Sequence, residues 1–525
     1  MRLALAFFVT AALSACATQP VEQSAAELRQ SHGYVVAAVP LVMGAEAPVI
    51  TIRSKTSGRE YTLPPLKTGV DTRGLWVPKG AYEIAAELGP RKGVSEPIEV
   101  EPGKVTDLGG FAWAAVGNRE RVLLPIRHPD LSADIEQTLA PLKTHVSPDR
   151  IRWQPSQVPA AQPVPVAMTN LGLIGALLTE YEAEVNKTPL RTQLRSTRNL
   201  AEFTRLFLDS ATPVLGEPDF DASGQLYIGS NFGRLRVRDG QGSWRTIDTG
   251  AISPIMAVAV GADRWVVGTH DGQLLEGKSG AQAWTRVHQF ADGESVLSLA
   301  RAGSRYVVLT GHFAGAARQG FHASLDGLQV HLFDLAAQPQ LKLLKKLAVS
   351  PSSPFTRLAT LQAGAAGKHV FLNAGESVER LDMATLAWKT VSPSHDVSHL
   401  RTAGGGGVLT AFKAQGLFSK LSVSTDSGET WLMVETPPYP VHDIRMEGPT
   451  AGSASRWDTG AFSVALQTTA FDASSKSWRT TWTAPQSACA RTIRDAQGKE
   501  AWCVSGGGSI LRIDGGKLVP EFLAD

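Results

Sequence analysis

Gly272-Gln273-Leu274-Leu275-Glu276-Gly277-Lys278-Ser279 satisfies the glycine-rich phosphate-loop expression letter for letter. Acting as one, its backbone amides would wrap a phosphate that the lysine neutralises. That chemistry needs a strand before the loop and a helix after it. Here the middle of the motif reads as an apolar-containing strand and its lysine falls in an outer hairpin, so no phosphate site is expected. His270, His312, His322 and His331 could ligate a metal. No His-x-His or His-x-x-x-His spacing joins them, so neither a metal nor a cofactor is expected. No acid, base and nucleophile converge elsewhere, and no catalytic residue is assigned.

The three cysteines carry chemistry of another kind. Leu13-Ser14-Ala15-Cys16 closes a short apolar run that begins after Arg2, with the small residues Ser14 and Ala15 where a signal peptidase needs them. The run is too short to cross a bilayer as a helix. These residues resemble the lipobox of bacterial lipoproteins. The resemblance implies cleavage after residue 15, diacylation of the Cys16 sulfur and acylation of the new N-terminus, an anchor gaining roughly 0.8 kcal/mol per buried methylene. Ala17 after the cysteine resembles the pattern of lipoproteins sent to the outer membrane, so a lipid-anchored envelope location facing the periplasm is expected, with residues 16–33 as a tether. Cys489 and Cys503 fall in two neighbouring predicted strands in a compartment that permits oxidation, and a structural cross-strand disulfide is expected between them.

The elements that must position such groups follow from the rest of the chain. Its 525 residues include 50 glycines and 31 prolines, with 19% charged residues, which describes a large, turn-rich body dominated by β structure. A net charge of +2 with both signs interspersed excludes a phosphate-tracking surface, so nucleic acid is not an expected partner.

Residues 34–127 alternate apolar and polar positions between turn signals, as half-buried antiparallel strands do. The runs Val77 to Ile84 and Ile98 to Gly109 resemble strands of small transthyretin-like or PEGA-like β-sandwich domains, with Pro78-Lys79-Gly80 and Pro102-Gly103 as their turns. Residues 128–208 change character and read as a connector. A helix is expected over Leu171 to Val185, with Leu173, Leu177, Leu178 and Tyr181 on one face and Asn170 as its cap.

From residue 209 to the end the chain repeats. Trp244, Trp284, Trp388, Trp431 and Trp478 recur at intervals of roughly 40 to 50 residues or a multiple of them. One unit reads Pro254 to Val260, Arg264 to Thr269, Gln273 to Gly277 and Trp284 to His288. Its template fits again in six further places, including Arg305 to Thr310, Gly320 to Ser324 and Gln329 to Phe333, with Leu341 to Leu347 left as an amphipathic linker. Seven four-stranded units of this length predict a seven-bladed β-propeller, because each twisted sheet must stack on its neighbours to bury its faces.

Ser424-Thr425-Asp426-Ser427-Gly428-Glu429-Thr430-Trp431 then resembles the Asp-box of the BNR repeat in sialidase-like and photosystem-assembly-factor-like propellers. The resemblance implies a structural hairpin between the two outer strands, with Ser424, Asp426, Gly428, Thr430 and Trp431 holding it. Looser relatives are Asp239 to Trp244 and Asp472 to Trp478. The Phe-Arg-Ile-Pro strand of sialidases is missing, Phe355-Thr356-Arg357-Leu358 is a poor echo, and Tyr227, Tyr306 and Tyr439 lack an evident glutamate partner. The loops between second and third strands offer the expected binding surface: Asn231, Phe232, His270, Asp271, His312 and Phe313, with exposed Phe232 and Phe313 as anchors. The chain therefore reads as a predominantly all-β protein, a propeller preceded by a small β-sandwich and a short helical connector. Its expected role is a non-catalytic scaffold for another envelope protein; the alternative is a propeller that binds or degrades a glycan.

Overall fold

The computed structural model describes residues 24–522, apart from 44–46, 66–71, 86–95, 118–119, 164–188, 215, 279–282, 314–324, 336–339, 349–358, 375–376, 416–417, 442, 460–463, 486–488, 496–499, 506–507 and 516. The lipobox with Cys16, the expected helix over Leu171 to Val185 with its cap Asn170, the expected strand Gly320 to Ser324 with His322, and Phe355 to Leu358 lie outside the described residues. No helix among the described residues is long and apolar enough to cross a membrane.

The N-terminal body is built from β1 (His32–Ala38), β2 (Thr51–Ser54), β3 (Glu60–Thr62), β4 (Thr72–Pro78), β5 (Gly80–Ile84), β6 (Ile98–Val100), β7 (Val105–Gly117), β8 (Glu120–Ile126), β9 (Arg150–Arg152) and β10 (Gln162–Pro163). One sheet runs β10-β8-β7-β1-β4 with β9 also on β7, and the other runs β3-β2-β5-β6. Val35, Ala37, Ile52, Val77, Ile98 and Phe111 fill the space between them. Two features depart from the antiparallel sandwich ending at residue 127. β1 and β9 both pair with β7 in parallel, and β9 and β10 come from the segment read as connector. The cause is the length of β7: its 13 residues take β9 along Val105–Asp107 and β8 along Gly110–Gly117.

The outer face of the larger sheet is buried too, under three helices: α1 (Pro129–Leu139), α2 (Pro189–Ser196) and α3 (Leu200–Asp209). Proline opens α1 where its missing N–H costs nothing, and His128 Nδ1 accepts the Asp130 amide as a cap. Asn199 caps α3 by accepting the Glu202 amide at 3.0 Å. Leu131, Ile135, Leu194 and Phe203 of these helices meet Val36, Ala38, Ala114 and Leu124 of the sheet. Burial on both faces explains why β1 reads as an uninterrupted apolar run.

Residues 219–522 form seven four-stranded antiparallel sheets, each with its strands in chain order: S1 (219–248), S2 (255–289), S3 (294–348), S4 (360–390), S5 (399–434), S6 (443–485) and S7 (489–522). Successive sheets share apolar cores, from Leu235 with Val267 between S1 and S2 to Leu466 with Leu511 between S6 and S7. The seventh lies against the first: Trp502, Val504 and Ile510 pack with Leu226 and Ile228. Each such buried side chain contributes about 1.5–3 kcal/mol. A sheet covered on both sides needs apolar residues at consecutive positions, as in Ile255–Val260, buried throughout.

The sequence template slipped by one strand in S3. Its first strand is Glu294–Ala302, its third is Leu325–Asp334, and the stretch read as a linker is its fourth strand, Gln340–Ala348. Leu341 reaches one neighbouring core and Leu344 and Leu347 the other, a two-sided pattern that mimics an amphipathic helix. In S7, Cys489 and Cys503 form a disulfide between the first and second strands, with Cα atoms 5.4 Å apart.

Candidate functional site

The loops expected to bind a partner are, in S1 and S2, engaged by the chain itself. Asn231 Oδ1 accepts the Met43 amide at 2.9 Å, and its Nδ2 donates to the Met43 carbonyl at 3.3 Å. Phe232 is only 2% exposed; its ring meets Phe207 of α3 edge-on at 5.2 Å, within the core that joins the helices to S1. The expected exposed anchor is thus an internal one, because the helices of the N-terminal body need an apolar face to cover. His270 is buried and stacks on Phe313 at 5.5 Å between ring centres. Phe313 is itself half-buried, and so is His312, which lies so close to Gly293 that a Cβ there would come within 2.6 Å of its Nε2. Asp271 accepts from Thr269 Oγ1 and Gln273 Nε2, and burial pushes its pKa up. Lys278 ends a strand, Gln273–Lys278, in the fully antiparallel S2, so the phosphate-loop expression has no loop geometry here.

The opposite ends of the sheets surround a cavity of about 580 Å³, lined by the first strands, or the turns that follow them, of all seven sheets. Its charged groups come from those strands and the residues that flank them. Glu217 accepts from Arg491 Nη2 at 2.7 Å and Arg401 Nη1 at 3.4 Å, and Arg401 Nε reaches Asp443 at 3.4 Å. Burial pushes the Glu217 pKa up, but the two guanidiniums outweigh it and hold the carboxylate below its usual range. Asp219 accepts the Val260 amide at 2.7 Å and the Phe220 amide at 2.8 Å. Burial outweighs these bonds and pushes its pKa up to about 6. Arg445 Nη1 donates to the Asp495 carbonyl at 3.2 Å, while its Nε is buried without a partner. Burial draws the pKa of Arg445 and that of Arg494 down. Among the described residues the lining holds carboxylates, guanidiniums, Gln362, Thr402 and Thr492, and neither Ser, Cys, His, Lys nor Tyr. Its chemistry is that of charge recognition. No group of three His, Cys, Asp or Glu placed to hold a metal occurs among the described residues.

These groups escaped the sequence reading, although a cue existed. Arg401, Arg445, Arg491 and Arg494 sit in first strands, the innermost of each unit, where an apolar residue is the default and a charge needs a reason.

The Asp-box hairpin lies on S5 between Lys420–Ser424 and Leu432–Val434. Asp426 accepts the Thr430 amide at 2.9 Å, Ser424 Oγ accepts the Gly428 amide at 2.8 Å, and Ser427 and Gly428 take φ of 60° and 84°. Trp431 donates to the Val391 carbonyl of the S4–S5 connection at 2.6 Å. The bonds from Thr430 hold the Asp426 pKa down at about 2. Asp239, Asp382 and Asp472 accept turn amides in the same place on S1, S4 and S6. The S4 example went unread because Met383 and Leu386 break the small and polar turn composition that marks Asp472 to Trp478. In all four hairpins the carboxylate is spent on the turn.

No protein-family model and no curated protein matches the chain. The crystal structure of a putative 6-phosphogluconolactonase from Bacteroides uniformis is similar at a TM-score of 0.39 and 11% sequence identity, covering 59% of this chain and 93% of that one.

Proposed function

We propose that this chain is a lipid-anchored, non-catalytic scaffold of a bacterial envelope, with its seven sheets arranged as a seven-bladed β-propeller that binds another envelope protein. The propeller reading rests on the unbroken order of the sheets, the packing of S7 on S1 and the cavity to which every first strand contributes. One observation carries the partner reading. Of the five large apolar side chains that the described residues expose, three stand on S5: Phe418 (75% exposed), Leu432 and Met433. Exposed aromatic and long apolar groups concentrated on one sheet are what a protein partner buries. The N-terminal body serves as a brace: it occupies the loops of S1 and S2 and, through the tether and an acylated Cys16, connects the sheets to the membrane.

The test is in-cell crosslinking of the full-length protein in its native host, comparing wild type with the F418A/L432S/M433S variant. The expected result is one reproducible protein partner that the variant loses while its melting temperature stays unchanged. A bait that captures nothing, or captures equally with the variant, overturns the reading and favours the glycan-binding alternative, which a glycan array checks. Acyl incorporation lost in C16A tests the anchor separately.

A further inference from the structure

We propose that the cavity encircled by the seven first strands binds a small oxyanion, carboxylate- or phosphate-bearing, between Arg445 and Arg494. Four of the charges in the lining already neutralise one another: Arg401 bridges Glu217 and Asp443, and Arg491 pairs with Glu217. Asp219 is held by two backbone amides. Arg445 and Arg494 are different. They come from the adjacent sheets S6 and S7, lie close enough for their like charges to oppose each other, and line the same cavity. Among the described residues neither makes an ion pair within 4 Å, and Arg445 Nε has no hydrogen-bond acceptor at all. Of the acids that act on both, Asp443 lines the cavity but is already engaged by Arg401 at 3.4 Å, and Glu447 and Asp495 are outside the lining. Two partly desolvated guanidiniums without a direct ion pair are costly to hold together, and an anion received between them lowers that cost.

The guanidinium fork offers parallel N–H donors at the spacing of carboxylate or phosphate oxygens, which a water molecule or chloride cannot match. A volume of 580 Å³ suits a ligand of small-metabolite size. Phe220, Val258 and Leu299 in the lining would face its uncharged part. The site lies inside the ring, so it does not depend on the partner surface of S5. A negative crosslinking result leaves it untouched, and a failed anion titration leaves the scaffold reading untouched.

The experiment is thermal unfolding and calorimetric titration of the purified mature protein with citrate, with inorganic phosphate, and with sodium chloride at matched ionic strength. The expected result is a melting temperature that climbs with citrate or phosphate and stays flat in chloride; the stronger arm identifies the carboxylate or the phosphate as the recognised group. Arg494→Gln is expected to melt at or above the wild-type temperature without ligand, since it relieves the repulsion, yet to bind at least about tenfold more weakly. A purely structural arginine would lower the ligand-free melting temperature instead. Arg494→Lys keeps the charge and loses the fork, and about tenfold weaker binding is expected there as well, which keeps the test open if the glutamine variant does not fold. No stabilisation beyond chloride, or wild-type affinity in both variants, overturns the proposal.

Discussion

Replacing Glu521 with alanine should loosen the junction between the last sheet and the first. Its carboxylate receives Arg238 Nε at 2.7 Å and Nη2 at 3.0 Å, Arg512 Nε at 3.0 Å, and the indole N–H groups of Trp244 and Trp502, both at 3.2 Å. Arg238 and Trp244 belong to S1, the others to S7, so one side chain ties the ends of a circuit that no covalent bond closes. The side chains of Arg238 and Glu521 are 8% and 11% exposed, and breaking a pair buried to that degree costs about 3–5 kcal/mol because the surviving charge stays uncompensated. Each indole left without an acceptor adds up to about 1 kcal/mol where water does not replace it. E521A should therefore lose about 4–5 kcal/mol, and E521Q, which keeps the shape and one acceptor oxygen, about 2 kcal/mol. The double variant R238M/E521M removes both members of the buried pair and leaves the two indoles and the half-exposed Arg512 without their acceptor, so it should lose about 1–2 kcal/mol, well short of E521A. Urea unfolding followed by tryptophan fluorescence reads all four proteins. A loss below about 1 kcal/mol for E521A, or a loss in R238M/E521M as large as in E521A, refutes the junction argument.

The pH dependence adds a check at the same residue: burial pushes the Glu521 pKa up, Arg238 and the indoles outweigh it, and the net shift is downward. Its contribution is then complete above the ordinary carboxylate range and disappears as pH falls through the lowered value, so E521Q should be less acid-sensitive than wild type.

Asp219 has the opposite sign: its pKa of about 6 lies above the ordinary 3.8, so its contribution to stability is full below the ordinary value and is lost as pH rises through about 6. D219N should flatten the stability profile between about pH 5 and pH 8 by about 1.4 kcal/mol, measured by urea unfolding at the two ends; an unchanged profile refutes this. F232A should cost about 3–5 kcal/mol and speed proteolysis of the N-terminal body, because the ring fills the core against Phe207; wild-type protease resistance would show that this contact does not hold the two parts together. Cys489 and Cys503 are 14 residues apart in sequence, and their reduction should lower stability by about 3 kcal/mol. A thiol count on denatured, unreduced protein should find neither of them free.

What could be read in advance was local. The repeat template and the turn signals located all four strands of S2, and the Asp-box hairpin matches its expected bonds at Ser424, Asp426 and Thr430, because these interactions span at most a few residues. S3 was misread where the third strand carries bulky residues on both faces. The helices α1, α2 and α3 were all missed because they are short, and an unusual histidine cap opens α1.

The candidate site went unread: its cue was single arginines in first strands, with no sign of which of them meet. Asn231 and Met43 are 188 residues apart, Arg238 and Glu521 are 283 apart, and nothing in either local neighbourhood says that the pairs meet. Composition, period and motif determined that this chain would be repeating β sheets behind an N-terminal cysteine motif, since backbone pairing and turn chemistry are satisfied over short distances. Only the tertiary structure decided that Phe232 is covered rather than offered, and that arginines from separate repeats face one cavity. Burial and electrostatics act through space, and their outcome depends on which surfaces the packed sheets leave to water.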